Sequence, residues 1–264
     1  MRYVFLPVSG KKSNGGIPRV SIEMKNPMLM IPGPMDVPDE VLRRCGHKVF
    51  AHYDPATRFP EFYNELTEKT KKVFGLEDGD VFIPSGSGTL AVNMSLASLC
   101  TPDDEVLILD NGGGEYAEKN LQAIGVPYSI VKGEKGHASD PDAVRKAMRA
   151  KRRPFIFMTH NESSTAVLNP IPPIGKIARE FDSLLIVDSV SGVGGVVVEM
   201  GENGADVVAG ASQKCLELPP GLAPVWAKSI CRRCSRDHRS CPAKSTPSSP
   251  KSSIKSPSRS SAMT

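Results

Sequence analysis

Leu184-Leu-Ile-Val-Asp188 has no polar side chain until its last residue, and its reading decides the fold. A strand with one wet face alternates apolar and polar residues. This one does not, so it is buried on both faces, as strands of parallel sheets are. Phe155-Ile-Phe-Met-Thr159, Glu105-Val-Leu-Ile-Leu-Asp110, Asp206-Val-Val-Ala-Gly210 and Val81-Phe-Ile-Pro84 read the same way. Stretches of helical spacing lie between them. Phe59, Phe62, Leu66, Val73 and Phe74 mark a helix stopped by Gly75. Another spans Thr89 to Leu99, a third opens at Asp140-Pro141 with an acidic cap and a first-turn proline, and a fourth covers Ile174–Phe181. This alternation predicts an α/β fold, a mostly parallel sheet with helices on both faces. Ligands of such sheets sit beyond the carboxyl ends of the strands, so the polar residues there are the candidate site.

Outward from this core the composition changes. Residues 226–264 hold nine Lys or Arg and one acid, a net +8, so the other 225 residues carry −4 of the chain's +4. Ser and Pro dominate that tail, which buries too little to offset its ordering entropy. Residues 1–26, with Ser9-Gly-Lys-Lys-Ser-Asn-Gly-Gly16, read as a flexible extension. The expected organisation is an extension at 1–26, one domain at 27–225 and a basic disordered tail at 226–264. No apolar run approaches the roughly 20 residues of a membrane span, and Pro7 interrupts a poor secretion signal. A cytoplasmic setting is expected, and the scattered Cys45, Cys100 and Cys215 agree with a reduced compartment. In the tail, Cys231, Cys234, His238 and Cys241 are spaced too tightly for a zinc knuckle and lack apolar neighbours, so no metal is expected. No aromatic residues interleave with the tail's charge, which argues against specific nucleic-acid binding.

Four loops at strand ends carry the candidate chemistry. Ser85-Gly-Ser-Gly-Thr89 joins a strand to a helix, where free N–H groups and the helix dipole favour an anion. It is no Walker motif, since no Gly-Lys-Ser/Thr follows. Asp188 ends a buried strand and needs a cationic partner to stay ionised. Lys214 is the only basic residue between Arg179 and Lys228 and sits in Ala211-Ser-Gln-Lys-Cys-Leu216. A charge-poor setting of that kind favours a nucleophilic amine, although a surface lysine is an equal reading of this loop alone. His160-Asn-Glu-Ser-Ser-Thr165 places a run of polar residues after another strand.

Taken in order, Ile31-Pro-Gly-Pro-Met-Asp-Val-Pro38, Pro84-Ser-Gly-Ser-Gly-Thr89, His160–Thr165, Val187-Asp-Ser-Val-Ser-Gly-Val-Gly-Gly195 and Gly210-Ala-Ser-Gln-Lys-Cys-Leu-Glu-Leu-Pro-Pro-Gly-Leu222 closely resemble the class V aminotransferases, specifically the alanine–glyoxylate and serine–pyruvate branch. The resemblance runs from about Met28 to Val225. It implies the large domain of a fold-type I enzyme that uses pyridoxal 5'-phosphate. It also implies transamination between a small amino acid (alanine or serine) and a 2-oxo acid such as glyoxylate or pyruvate, in a homodimer. By the same resemblance Lys214 forms the Schiff base and moves the proton, and Asp188 pairs with the pyridine nitrogen. Ser87, Gly88, Thr89 and Gln213 hold the phosphate. Ser163 bonds near the ring hydroxyl or the substrate, Val190 packs on a ring face, and Gly33 lies near the substrate carboxylate.

The sequence departs from the family pattern twice. The family's stacking aromatic has no counterpart in Asn111-Gly-Gly-Gly-Glu-Tyr116, where Tyr116 is the one substitute at hand. The family's small domain, with its carboxylate-binding arginine, is not matched after Val225. That break reads as a truncation and implies a poor catalyst, unless Arg43, Arg58 or a tail arginine serves as the clamp. Two alternatives stand beside the aminotransferase. One is a weak cofactor-binding fragment. The other is a lyase or desulfurase of the same superfamily, which needs a mobile cysteine downstream of the lysine.

Overall fold

Successive residues of the central strands are buried on opposite faces of one sheet, which divides the core in two. In the computed structural model, residues 29, 31–46, 51–74, 76 and 78–228 are described. The extension expected at 1–26 and the tail beyond 228, with its Cys and His residues, lie outside them. Helices α1 (Asp39–Cys45) and α2 (Phe59–Val73) lead into β1 (Gly79–Phe82), α3 (Gly88–Leu99), β2 (Val106–Asp110), α4 (Gly114–Ala123) and β3 (Tyr128–Lys132). Next come α5 (Pro141–Ala150), β4 (Phe155–Thr159), the hairpin β5 (Asn161–Glu162) and β6 (Val167–Leu168), α6 (Ile171–Glu180), β7 (Leu184–Asp188), β8 (Val207–Ala209) and β9 (Val225–Lys228).

The main sheet has seven strands in the order β1-β9-β8-β7-β4-β2-β3. Strands β3, β2, β4, β7 and β8 are parallel, while β9 runs antiparallel to both β8 and β1. One face buries Leu107, Leu109, Ile156, Met158, Leu185 and Val187 under α5 and α6. The other buries Val106, Ile108, Phe155, Phe157 and Ile186 under α3 and α4. The central strands feed both clusters, which is why they carry no polar alternation. The segment Val81-Phe-Ile-Pro84, expected to be buried on both faces, instead belongs to the antiparallel edge strand β1. Val81 is inside and Phe82 is 52% exposed, because among the described strands only β9 pairs with it.

The expected helices and strands are present with shifted ends. Asp140 caps α5 by accepting the Asp142 N–H at 2.9 Å, with Pro141 in the first turn. Helix α4 and strand β3 were not anticipated. Strand β3 is an edge strand, half-buried along most of its length and interrupted by Ser129, so it shows no apolar run. The ordered fold also passes the boundary expected at 225. Trp226 is fully buried, its ring 4.3 Å from that of Phe74. It lies over Gly210, where a Cβ would stand 2.7 Å from the indole. Strand β9 is held on both sides by neighbours, so Trp226 belongs to the core and not to the tail.

Candidate active site

Strand β2 is flanked by β3 on one side and β4 on the other, so the winding reverses between β2 and β4. A crevice opens at the carboxyl ends beside such a reversal. Asp110, Thr159 and Asp188 end β2, β4 and β7 there.

Lys214 approaches from the loop after β8. It is half-buried, and its Nζ donates to the Pro32 carbonyl at 3.3 Å. Gly33 presses on it so closely that a Cβ would lie 2.5 Å from Lys214 Cδ and 2.8 Å from Nζ. The φ of Gly33 is +115°, which favours glycine independently. The Met35 N–H donates to the Gln213 carbonyl at 3.0 Å and ties the two loops together. Two segments far apart in the chain therefore meet at one amine.

Helix α3 points its N-terminus at the same place. Ser87 is its N-cap but makes no side-chain cap bond, and first-turn N–H groups have no partner within a helix. Gly88 is wedged against both Val190 methyls (2.8 Å from a notional Cβ) and against Ala211 (3.0 Å). This contact brings Ser87, Gly88 and Thr89 to Val190 and to the loop of Gln213 and Lys214. The Gln213 Oε1 is buried without a hydrogen-bond partner. Ser163 stands at the rim, sharing a 2.8 Å hydrogen bond with the Ser191 hydroxyl.

Asp188 is the electrostatic centre. Its carboxylate accepts the Val190 N–H at 3.0 Å, and among the described residues no ion pair to it is formed. Burial pushes its pKa up to about 6; the Glu162 charge adds to this, while the Val190 N–H and the Lys214 charge oppose it. Burial also pushes the neighbouring His160 down to about 4, so that imidazole is neutral near pH 7.

Sequence reasoning gave Glu162 no role beyond membership of the run His160–Thr165, and it missed Asn169. Glu162 is 5% exposed, accepts the Ser164 N–H at 2.9 Å, and lies under the glycines that follow β2. A Cβ at Gly113 would fall 2.1 Å from Glu162 Oε2, so this carboxylate fills the space a side chain at 113 would need. Asn169, 1% exposed, bonds Asn111, the Thr159 carbonyl and the Ser139 N–H, locking the glycine loop to the ends of β4 and β6. The glycine triplet was the available signal for the first, and the pairing of two distant asparagines left none. Tyr116 is 67% exposed on α4. Arg43 donates to the Asp39 carbonyl of its own helix, and Arg58 pairs with Glu61.

The donor set is complementary to one kind of group. A helix N-terminus calls for an anion, Asp188 for a cation and Lys214 for an electrophilic carbon. Pyridoxal phosphate carries all three as phosphate, ring nitrogen and aldehyde, and these residues fit it. Among the described residues no cluster suited to a metal ion is present, and no helix is long and apolar enough to cross a membrane.

A family model described as Aminotransferase class-V matches residues 33–234. An uncharacterized aminotransferase of Methanocaldococcus jannaschii is 34% identical over 208 residues, covering 78% of this chain and 53% of the relative. The alanine–glyoxylate aminotransferase of Oryctolagus cuniculus is 30% identical over 197 residues, covering 74% and 50%. The crystal structure of an alanine–glyoxylate aminotransferase from Nostoc sp. superposes with a TM-score of 0.75 at 28% identity, covering 84% of this chain and 59% of that one. The chain spans about half the length of the curated relatives it matches.

Proposed function

This chain belongs to the aminotransferase class-V family, and from that premise we propose that it uses pyridoxal phosphate to move an amino group between alanine or serine and a 2-oxo acid such as glyoxylate or pyruvate. The observation that carries the reading is Asp188, a buried acid without an ion-pair partner in the same crevice as the Lys214 amine. When bound, the cofactor supplies the aldehyde carbon that takes up the amino group and a ring that draws electrons from the substrate carbon. Lys214 Nζ is the nucleophile toward that aldehyde and carries the proton to and from the substrate. Asp188 holds a proton on the ring nitrogen, which gives the acid the cation it lacks. Ser87, Gly88 and Thr89 bind the phosphate through first-turn N–H groups and hydroxyls, with Gln213 as a further side-chain amide. Ser163 bonds the ring hydroxyl, Val190 covers one ring face, and Gly33 leaves room for the substrate carboxylate beside the amine.

The reading extends to a homodimer, supported by the exposed apolar row Phe62, Leu66 and Val73 of α2, and to a cytoplasmic setting, supported by the scattered cysteines, with Cys45 and Cys215 outside any disulfide. The cysteines that a desulfurase reading would use, Cys231, Cys234 and Cys241, lie outside the described residues. The test is to add pyridoxal phosphate to the purified chain, record visible absorption, reduce with borohydride and map the labelled peptide. Wild type should carry one label at Lys214 and Lys214→Ala none; a specific label that persists in Lys214→Ala overturns the assignment. A screen of alanine and serine against glyoxylate and pyruvate then tests the substrates.

A further inference from the structure

We propose that His160 is a positioning residue of this site, acting through Ser189 to fix the turn 188–192 that presents Asp188 and Val190. This rests on the reading of that turn as the wall that binds the cofactor ring. Both side chains are inside the protein, His160 2% exposed and Ser189 0%, and His160 Nδ1 and Ser189 Oγ share a hydrogen bond of 2.9 Å. The bond lies at the junction of three strand ends. The His160 N–H donates to the Asp188 carbonyl at 2.8 Å, the Ser189 N–H to Ala209 at 2.9 Å, and the Asn169 N–H to the His160 carbonyl at 2.7 Å.

The turn is shaped around this pair. Gly192 and Val193 both donate their N–H groups to the Ser189 carbonyl at 2.9 Å, which folds the chain back over the two side chains. A Cβ at Gly192 would lie 2.6 Å from Ser189 Oγ and 3.0 Å from His160 Nδ1, so glycine is what permits the closure. Ser189 directly precedes Val190, whose N–H binds the Asp188 carboxylate. Movement of Ser189 therefore displaces both the acid and the apolar side chain beside it. Burial keeps His160 neutral, and this suits the role: an imidazolium here would offer Asp188 a cation of its own, in competition with a ring nitrogen. The other charged groups that act on Asp188 are Glu162 and Lys214.

Three variants of the full chain separate positioning from packing. Asparagine places a polar group where His160 Nδ1 lies, whereas glutamine reaches toward Nε2. Ser189→Ala and His160→Gln should each weaken pyridoxal phosphate binding about five- to tenfold, the worth of one buried hydrogen bond, and shift the absorption band of the bound cofactor. His160→Asn should stay within about twofold of wild type. In the chain without cofactor, carboxyl NMR should find the Asp188 titration midpoint displaced in Ser189→Ala and His160→Gln and kept in His160→Asn. Equal behaviour of the two His160 variants, or an unmoved Asp188 titration in Ser189→Ala, overturns the proposal. Failure of wild type to bind the cofactor would instead overturn the proposed function, and the NMR arm would still decide the role of His160.

Discussion

Asp188 and Asp206 border adjacent strands of one sheet, yet the fold treats them in opposite ways. Asp206, at the entry to β8, is 2% exposed; it pairs with Arg179 and with Lys228 (3.5 Å) and accepts the Leu185 N–H at 2.7 Å. Asp188, at the exit of β7, accepts one N–H and meets no cation at ion-pair distance among the described residues. A buried acid whose lone pairs are satisfied by the protein serves the fold. One that the protein leaves short of a cation, with its pKa raised by burial, is prepared for a cation from outside. The two ends of the sheet thus divide the work: the amino ends are sealed by ion pairs, and the carboxyl ends are left chemically unsatisfied.

The sharpest way to break the comparison is to delete each acid. Asp206→Ala removes the ion-pair partner of Lys228, whose pKa burial already lowers and which keeps the Gly201 carbonyl at 2.8 Å, and leaves the Leu185 N–H without its acceptor. Removing one partner of a buried pair costs about 3–5 kcal/mol. Arg179 is partly exposed and can turn outward, which places this variant toward the lower end of that range. Asp188→Ala without cofactor should cost under about 1 kcal/mol, because it removes a desolvated charge along with one N–H acceptor. Urea denaturation of the two variants measures both values. If Asp188→Ala proves the more damaging, the division of roles is wrong.

Acidification sharpens the same contrast inside the site. Asp188 titrates near 6 in the folded chain and near 3.9 when unfolded, so between those values the folded state holds the extra proton. Its contribution is therefore complete below about pH 4 and is lost as pH rises to 6. His160 acts the other way. Its folded pKa of about 4 lies below the unfolded value, so its contribution is present above about pH 6.5 and is lost as pH falls to 4. Each arm is worth on the order of 3 kcal/mol, and in wild type they nearly cancel. Asp188→Asn should expose the His160 arm, with stability falling on acidification from pH 6 to 4. His160→Asn should expose the Asp188 arm, with stability rising over the same range. Parallel profiles for the two variants would show that neither group is perturbed as described.

Strand burial made the parallel sheet legible, because residues that face two cores leave no alternation. Lys214 was legible as a lone cation in an apolar stretch, and Asp188 as an acid closing an apolar strand. Yet Asp206, which opens the strand Asp206-Val-Val-Ala-Gly210, raises the same signal, and only tertiary pairing separates the two acids. His160, Glu162 and Asn169 acquire their places through contacts across β4, β7 and the glycine loop, which no local spacing encodes. Trp226 was hidden by its sequence neighbours: a Lys/Arg-rich composition follows it, while its own burial depends on β1 and β8 closing around β9.

A third acid marks the lower limit of the comparison. Asp140 is exposed and satisfied locally, its carboxylate accepting the Asp142 N–H at 2.9 Å at the start of α5. Its environment is one turn of helix, so its worth should be that of an ordinary N-cap. Asp140→Ala should cost about 1 kcal/mol, with Asp140→Asn recovering most of it because the amide oxygen accepts the same N–H. Helix α5 packs Val144 and Met148 on the face opposite α3, away from the turn 85–89 proposed to hold the phosphate. The loss should therefore be the same with and without pyridoxal phosphate, and the dissociation constant should stay within about twofold of wild type. A cofactor-dependent loss at Asp140 would mean that the two faces of the sheet are coupled, and that the separation drawn from Asp188 and Asp206 does not hold across the layers.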